Sequence, residues 1–263
     1  MHWTDIDHSF CEAAINGLPE YYNAVSSLFI SGFGIYGMMN RYNELFVDVL
    51  YTNLIIVGFG SFGYHWYGNI GWGLFDEIPM ILAIFTGIIY ADNVYYLAHR
   101  KTCEQYASLQ TYMIVRKKIK LLVYLFSMTL ITILNVMSNY RKWFPTVFAC
   151  AAAYLYYKIF MLLHLMSASA KHGITSKAHY SLATIALSGI IWMTTEVSCN
   201  SIHHPVFLIG HPLWHFFIGH GFYNLIQVVY FIKINNGTYY LRYNSMYLLY
   251  RSPAAAIHRE DLK

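Results

Sequence analysis

The chain has 263 residues, of which 57% are hydrophobic and only 11% are Asp, Glu, Lys or Arg. A soluble domain carries about 25% charged residues, so this composition excludes an ordinary water-soluble enzyme and predicts an all-α integral membrane protein. The net charge is +4, which we attribute to charged loops at the membrane and not to a nucleic-acid partner.

The N-terminal segment, residues 1–21, is acidic. It contains Asp5, Asp7, Glu12 and Glu20 but no Lys or Arg. A cleavable signal peptide needs a basic n-region, so we expect the first apolar stretch to be retained as a membrane span. The segment is too short to bury a core of its own, and we predict that it lies in the lumen or outside the cell.

Seven apolar stretches follow this segment. Each is long enough to cross the roughly 30 Å hydrocarbon core as a helix. They predict one seven-transmembrane domain over residues 22–233 and a cytosolic tail over residues 234–263. The predicted spans are 22–39, 45–66, 72–97, 119–137, 143–166, 178–200 and 211–233.

Lys and Arg are distributed unevenly between the two sides of the predicted bundle. Most lie in the loops after the first, third and fifth spans and in the C-terminal tail, whereas the opposite side has only Arg141 and Lys142. Because cytosolic loops carry an excess of Lys and Arg, we predict a lumenal or extracellular N-terminus and a cytosolic C-terminus. The expected location is the endomembrane system (ER or Golgi) or the plasma membrane.

Several polar side chains are predicted to lie near the non-cytosolic end of the bundle. Ionisable groups at membrane depth are costly and mark functional sites. His211 and His215 are four residues apart, so they lie on one face of a helix. With His65 from the second span they form a set of three imidazoles, which leaves a fourth tetrahedral position open, as in a catalytic zinc site.

Three further residues are candidates for this site. Ser61 precedes His65 by one helical turn and is predicted to donate to a developing oxyanion. Asp76 is predicted to transfer a proton, and Glu196 is a candidate for the pocket wall or for a charge partner. Alternatively, Ser61 bonds its own helix backbone and Asp76 caps the start of the third span. The convergence of these groups at one depth favours the site.

Two of the four cysteines, Cys11 and Cys199, are predicted to lie on the same non-cytosolic side. An oxidising compartment permits a disulfide between them, which would tie the N-terminal segment over the mouth of the bundle. The alternative is two unrelated buried thiols, and the sequence alone leaves both interpretations open.

Several motifs, in this order, resemble those of the alkaline ceramidases, which belong to a wider group of seven-helix hydrolases that includes the adiponectin and progestin receptors. The segments that carry the resemblance are Cys11-Glu12, Glu20 to Ser26, Ser61-Phe-Gly-Tyr-His65, Asp76-Glu-Ile-Pro-Met80, Trp192 to Cys199 and His211-Pro-Leu-Trp-His215.

The resemblance implies a zinc-dependent amidase that hydrolyses the N-acyl bond of a ceramide-like lipid to a fatty acid and a sphingoid base. The implied partner is thus a membrane lipid, and no protein partner is indicated. A lipid receptor and an esterase or phospholipase of the same group are the alternatives. The implied roles are zinc ligation by His65, His211 and His215, catalysis by Ser61 and Asp76, and a disulfide between Cys11 and Cys199.

The sequence departs from this family in its calcium site. Members that bind calcium have an Asp two residues before the first cysteine and an Asn three residues after it, whereas this chain has Ser9 and Ala14. Glu12 and Glu20 remain, and Asp5, Asp7 and Asn16 are candidate replacements. Because calcium takes six or more oxygen ligands, the sequence gives little support for a calcium site.

Overall fold

The computed structural model describes residues 4–5, 10–40, 44–103, 107–137, 144–164, 168–202 and 204–235. These residues are all-α, as predicted. They form α1 (Cys11–Asn16), α2 (Tyr21–Met39), α3 (Leu45–Tyr67), α4 (Ile70–Cys103), α5 (Ala107–Val136), α6 (Phe144–Leu163), α7 (Ala168–Ser201), a 3₁₀ helix (Pro205–Ile209) and α8 (Gly210–Asn235).

Each predicted span coincides with one of the long helices α2 to α8, but several boundaries were wrong. Helix α5 begins at Ala107 and not at residue 119, and α7 begins at Ala168 and not at residue 178. An apolar window detects only the part of a helix that suits lipid, whereas the helix itself continues into polar sequence. The predicted tail lies outside the described residues beyond residue 235.

Among the described residues, four helical segments are long and apolar enough to cross a membrane. They combine high mean hydropathy with few charged residues. Length and composition therefore support membrane insertion of the bundle. These segments are Leu45–Tyr67, Ile70–Ala98, Phe144–Leu163 and Ile174–Cys199.

A tight turn joins α3 to α4. Helix α3 ends at Gly68, which has a φ of +67° and donates its backbone N–H to the carbonyl oxygen of Tyr64. Glycine is favoured in this left-handed conformation because it has no Cβ. Helix α4 begins at Ile70, so the chain reverses at once. The end of α3 and the start of α4 therefore lie at the same end of the bundle.

The core of the bundle is formed mainly by α3, α4, α6 and α8. Helix α2 packs against α3 and α8, α7 packs against α8, and α5 is attached through α4. Tyr51, Ile84 and Tyr223 are among the largest fully buried side chains. By contrast, α5 exposes large apolar side chains such as Leu122 and Phe126, at 66% and 69%. An apolar outer surface of this kind suits contact with lipid acyl chains.

Charged pairs connect the helices at the end of the bundle where α4 ends. Asp92 of α4 accepts from Lys158 of α6 at 2.9 Å and from the hydroxyl of Tyr124 of α5 at 2.8 Å. Lys233, near the end of α8, is paired with Glu44 at the start of α3. Partly buried charges are stabilised by such partners. These contacts connect five helices at the end opposite the predicted site.

Candidate metal centre

The three predicted histidines meet at the other end of the bundle. His65 lies in the last turn of α3, and His211 and His215 lie in the first two turns of α8. All three are buried, and one potential ligand nitrogen from each lies within 4.8 Å of the others. Their ring centroids are 4.6 to 5.1 Å apart. Packing of α3 against α8 thus assembles a three-imidazole cluster.

Two of these imidazoles have a clear hydrogen-bond partner at Nδ1. The Nδ1 of His65 is 2.6 Å from Glu20 Oε2. The Nδ1 of His215 is 2.9 Å from the hydroxyl of Ser26, which itself donates to the carbonyl oxygen of Asn23. Both partners therefore act as acceptors, so each Nδ1 carries the proton and each Nε2 keeps its lone pair. This is the arrangement of metal-binding histidines.

The third imidazole, His211, has two neighbours at the same nitrogen. Its Nδ1 is 3.2 Å from Glu196 Oε1 and 3.1 Å from the indole nitrogen of Trp192. Glu196 also accepts the backbone N–H of Cys11 at 2.8 Å. Glu196 therefore acts as a charge partner that connects a residue of the cluster to the N-terminal segment, and it is not among the residues that line the adjoining cavity.

The donor set fits a metal ion. Three buried neutral imidazoles suit zinc, copper, iron or nickel, and a set of three protein ligands leaves a position for water or substrate. The carboxylates of Glu20 and Glu196 contact the Nδ1 atoms of His65 and His211. A carboxylate in this position commonly orients a histidine ligand and makes it more basic. The geometry thus supports binding of one transition-metal ion at this end of the bundle.

Ser61 and Asp76 lie beside the cluster. Ser61 is fully buried one turn before His65, and its side chain is hydrogen-bonded to the Asp76 carboxylate. Asp76 is half-buried and faces the same cavity as the three histidines. The structure thus brings together all five residues that the sequence predicted for one site.

A cavity of about 570 Å³ extends from these residues into the bundle. One end is polar and contains the histidine cluster, Ser61 and Asp76, and the remainder is apolar. Ile190 and Met193 line the cavity and are also about 60% exposed on the outer surface of α7. The part of α7 that forms the cavity wall therefore also forms part of the apolar outer surface of the bundle. The shape and polarity of the cavity suit a lipid with a polar group near the histidines.

The N-terminal segment covers the histidine cluster. The ring of Phe10 lies 4.5 Å from the ring of His211 and 5.3 Å from that of His65, measured between centroids. Cys11 and Cys199 are joined by a disulfide, with their Cα atoms 5.7 Å apart. The short helix α1 is therefore attached to the end of α7 and closes this side of the site.

The acidic residues considered for calcium are already engaged in protein contacts. Glu12 accepts the backbone N–H groups of Tyr22 and Asn23, each at 2.9 Å, at the start of α2. Burial raises the pKa of Glu12, while these two backbone donors oppose that rise. Glu20 is committed to the imidazole contact described above, and Asp7 lies outside the described residues. These contacts occupy one acceptor position on each Glu12 oxygen and two on Glu20 Oε2, so fewer positions remain for a calcium ion.

Comparison with known proteins gives two matches. A sequence profile described as ceramidase matches residues 6–254. A protein of Dictyostelium discoideum with the provisional name alkaline ceramidase dcd3A is 24% identical in an alignment 247 positions long, and the alignment covers 83% of this chain and 81% of that protein. Both matches extend over most of the helical bundle and include the region of the histidine cluster.

Proposed function

Since this chain belongs to the ceramidase family, we propose that it is a zinc-dependent intramembrane amidase. Its substrate is a ceramide-like sphingolipid, which it hydrolyses at the N-acyl bond to a fatty acid and a sphingoid base. The observation that carries this proposal is the position of the buried histidine cluster at the polar end of a lipid-sized apolar cavity.

The proposed membrane arrangement has seven spans, α2 to α8, with the histidine cluster at the lumenal or extracellular end. The distribution of Lys and Arg supports this orientation. The disulfide between Cys11 and Cys199 supports it independently, because disulfides persist in the ER lumen or outside the cell. The C-terminal end of α8 then faces the cytosol.

In this proposal His65, His211 and His215 hold zinc through Nε2. When bound, zinc polarises the amide carbonyl and lowers the pKa of water toward neutrality. Asp76 accepts a proton from the attacking water and returns it to the leaving amine nitrogen as the C–N bond breaks. The Ser61 hydroxyl donates to the carbonyl oxygen as negative charge develops there.

The test uses purified protein with a panel of N-acyl sphingolipids and matched acyl esters. Mass spectrometry identifies the products, and zinc content is measured on the same samples. We expect one free fatty acid and one sphingoid base per ceramide cleaved, with about one zinc per chain. Preferential ester cleavage would indicate an esterase or phospholipase, and lipid binding without turnover would indicate a receptor.

Close approach of α3 and α4 is required to bring Ser61 to Asp76, and Gly60 permits it. A Cβ at Gly60 would lie 2.6 Å from the carbonyl carbon of Phe75 and 2.9 Å from the backbone nitrogen of Asp76. We expect Gly60→Ala to push α4 away and to lower turnover by about 10- to 100-fold, because a shift of roughly 1 Å at a site has effects of this order.

The matched control for Gly60→Ala is Gly32→Ala in α2. A Cβ at Gly32 would meet nothing within 4 Å, and Ala is favoured over Gly inside a helix by about 1 kcal/mol. This variant should keep wild-type turnover, with thermal stability equal to or slightly above that of the wild type. Equal turnover in the two variants would contradict the proposed need for close packing of α3 and α4.

We also propose that activity does not require calcium. Zinc-loaded protein freed of other metals is assayed with and without added calcium at about 1 mM, which exceeds the dissociation constants of most calcium sites. Turnover is expected to change by less than about twofold, since Glu12 and Glu20 are engaged in the contacts described above. A requirement for added calcium would contradict this expectation.

A further inference from the structure

We propose that Glu196 is a positioning residue that selects the metal-binding tautomer of His211 and couples it to the N-terminal helix α1. This inference rests on the zinc site of the proposed function. It concerns how the site is organised, not which substrate is hydrolysed. Two contacts of the Glu196 carboxylate, with His211 and with the Cys11 backbone N–H, carry it, together with the disulfide beside them.

The two neighbours of His211 Nδ1 require opposite tautomers. The indole N–H of Trp192 can only donate, so its contact requires a deprotonated Nδ1 and leaves the proton on Nε2. The carboxylate of Glu196 can only accept, so its contact requires a protonated Nδ1 and leaves the Nε2 lone pair available. Only the second tautomer can bind zinc through Nε2.

The charged partner should prevail in this competition. A hydrogen bond to an ionised carboxylate is roughly twice as strong as one between neutral groups. Glu196 is also held in place, because its side chain is only 18% exposed and its second oxygen accepts the Cys11 backbone N–H. The tautomer of His211 is thus set by Glu196, and Trp192 acts as a packing neighbour.

The same carboxylate connects this ligand to the N-terminal segment. Cys11 is attached to α7 twice, by its backbone N–H to Glu196 and by its side chain to Cys199, three residues further along the helix. The disulfide therefore keeps the Cys11 N–H where it can hold one oxygen of Glu196. The other oxygen then remains directed at His211. Anchoring of α1 and metal binding are coupled through this one side chain.

The test measures zinc affinity in detergent micelles by competition with a chromophoric chelator, for Glu196→Gln, Glu196→Asp and Trp192→Phe. Because Cys11 and His211 face different oxygens of Glu196, Gln would direct its NH2 group, which can only donate, at one of the two. We expect Glu196→Gln to weaken zinc binding by about 10- to 100-fold, as is typical for loss of such a partner.

The two other variants separate positioning from a merely structural role. Glu196→Asp keeps both acceptor oxygens and should restore most of the zinc affinity. Trp192→Phe removes the competing donor and should leave affinity unchanged or higher. Wild-type affinity in Glu196→Gln, or an equal loss in Trp192→Phe, would overturn the proposal.

Coupling to α1 is tested by a double-mutant cycle. The double variant Cys11→Ser, Cys199→Ser should weaken zinc binding in the presence of Glu196 and have little further effect in the Glu196→Gln background. Additive losses would show that the disulfide and Glu196 act independently, and that part of the proposal would be wrong.

These outcomes are distinguishable from failure of the proposed function. Zinc binding that depends on Glu196, without ceramide turnover, would leave the positioning role intact and remove the amidase assignment. Ceramide turnover together with unchanged zinc affinity in Glu196→Gln would keep the amidase assignment and overturn the positioning role. A wild-type protein that binds no zinc would overturn both.

Discussion

Replacement of His215 by Ala is expected to abolish both zinc retention and ceramide hydrolysis while leaving the helical bundle folded. His215 is buried in α8 and supplies one of three ligand nitrogens within 4.8 Å of one another. Two imidazoles cannot form the three-ligand site that catalysis requires. A metal contributes several kcal/mol to transition-state stabilisation, so turnover should fall by roughly 10³-fold or more. Zinc content and product formation are measured on the same preparation.

His220→Ala is the matched control for this variant. His220 lies five residues further along α8, is equally buried, and has its Nε2 3.0 Å from the side-chain nitrogen of Asn224. It is not part of the cluster of three. We expect His220→Ala to lower thermal stability but to keep zinc. Retention of zinc by His215→Ala, or loss of zinc by both variants, would contradict the assigned ligand set.

Asp76→Asn should separate proton transfer from metal binding. Asn has the same shape as Asp but cannot accept the proton from water, so turnover should fall by about 10²- to 10⁴-fold. Zinc content and binding of an uncleaved ceramide analogue should remain at the wild-type level, because Asp76 is not one of the clustered ligands. Binding is measured in micelles, and turnover is measured by release of fatty acid.

The neighbouring carboxylate provides the comparison. Glu77 lines the same cavity. Because the Ser61 side chain is hydrogen-bonded to Asp76, we expect Glu77→Gln to have a much smaller effect on turnover than Asp76→Asn. Loss of zinc in Asp76→Asn would show that Asp76 acts as a ligand. Equal turnover in Asp76→Asn and the wild type would remove it from the mechanism.

The positions of the long helices were predictable because lipid imposes a simple rule on sequence. A helix that crosses the hydrocarbon core needs about 20 apolar residues, and the seven stretches predicted on this rule coincide with α2 to α8. Among the described residues, four of these helices contain a segment long and apolar enough to cross a membrane. The polar first turns of α5 and α7 were not predictable in this way, because residues such as Lys171 and Lys177 interrupt the apolar pattern. Helix α1 has only six residues, which is too short to show a helical pattern of apolar residues.

The histidine cluster was predictable because spacing and topology act together. The separation of His211 and His215 places them on one helical face, and the order of the spans places His65 at the same end. Glu196, which contacts His211, was a sequence-based candidate for a charge partner, whereas the Nδ1 partners of His65 and His215 were not predictable. In the sequence, Glu20 is 45 residues from His65, and Ser26 is 189 residues from His215. No local pattern relates side chains at such separations, since only the packing of α2 brings them together.

The position of Ile190 and Met193, which line the cavity and are also exposed on the outer surface of α7, has a consequence for kinetic measurement. A substrate that enters from the side is delivered by diffusion within the bilayer, so the relevant concentration is its mole fraction among the surrounding lipids or detergent molecules. Surface dilution with inert detergent should therefore slow the reaction at constant bulk substrate. Michaelis constants obtained in micelles and in vesicles become comparable only when both are expressed per amphiphile, and the thickness and fluidity of the bilayer then act as kinetic variables.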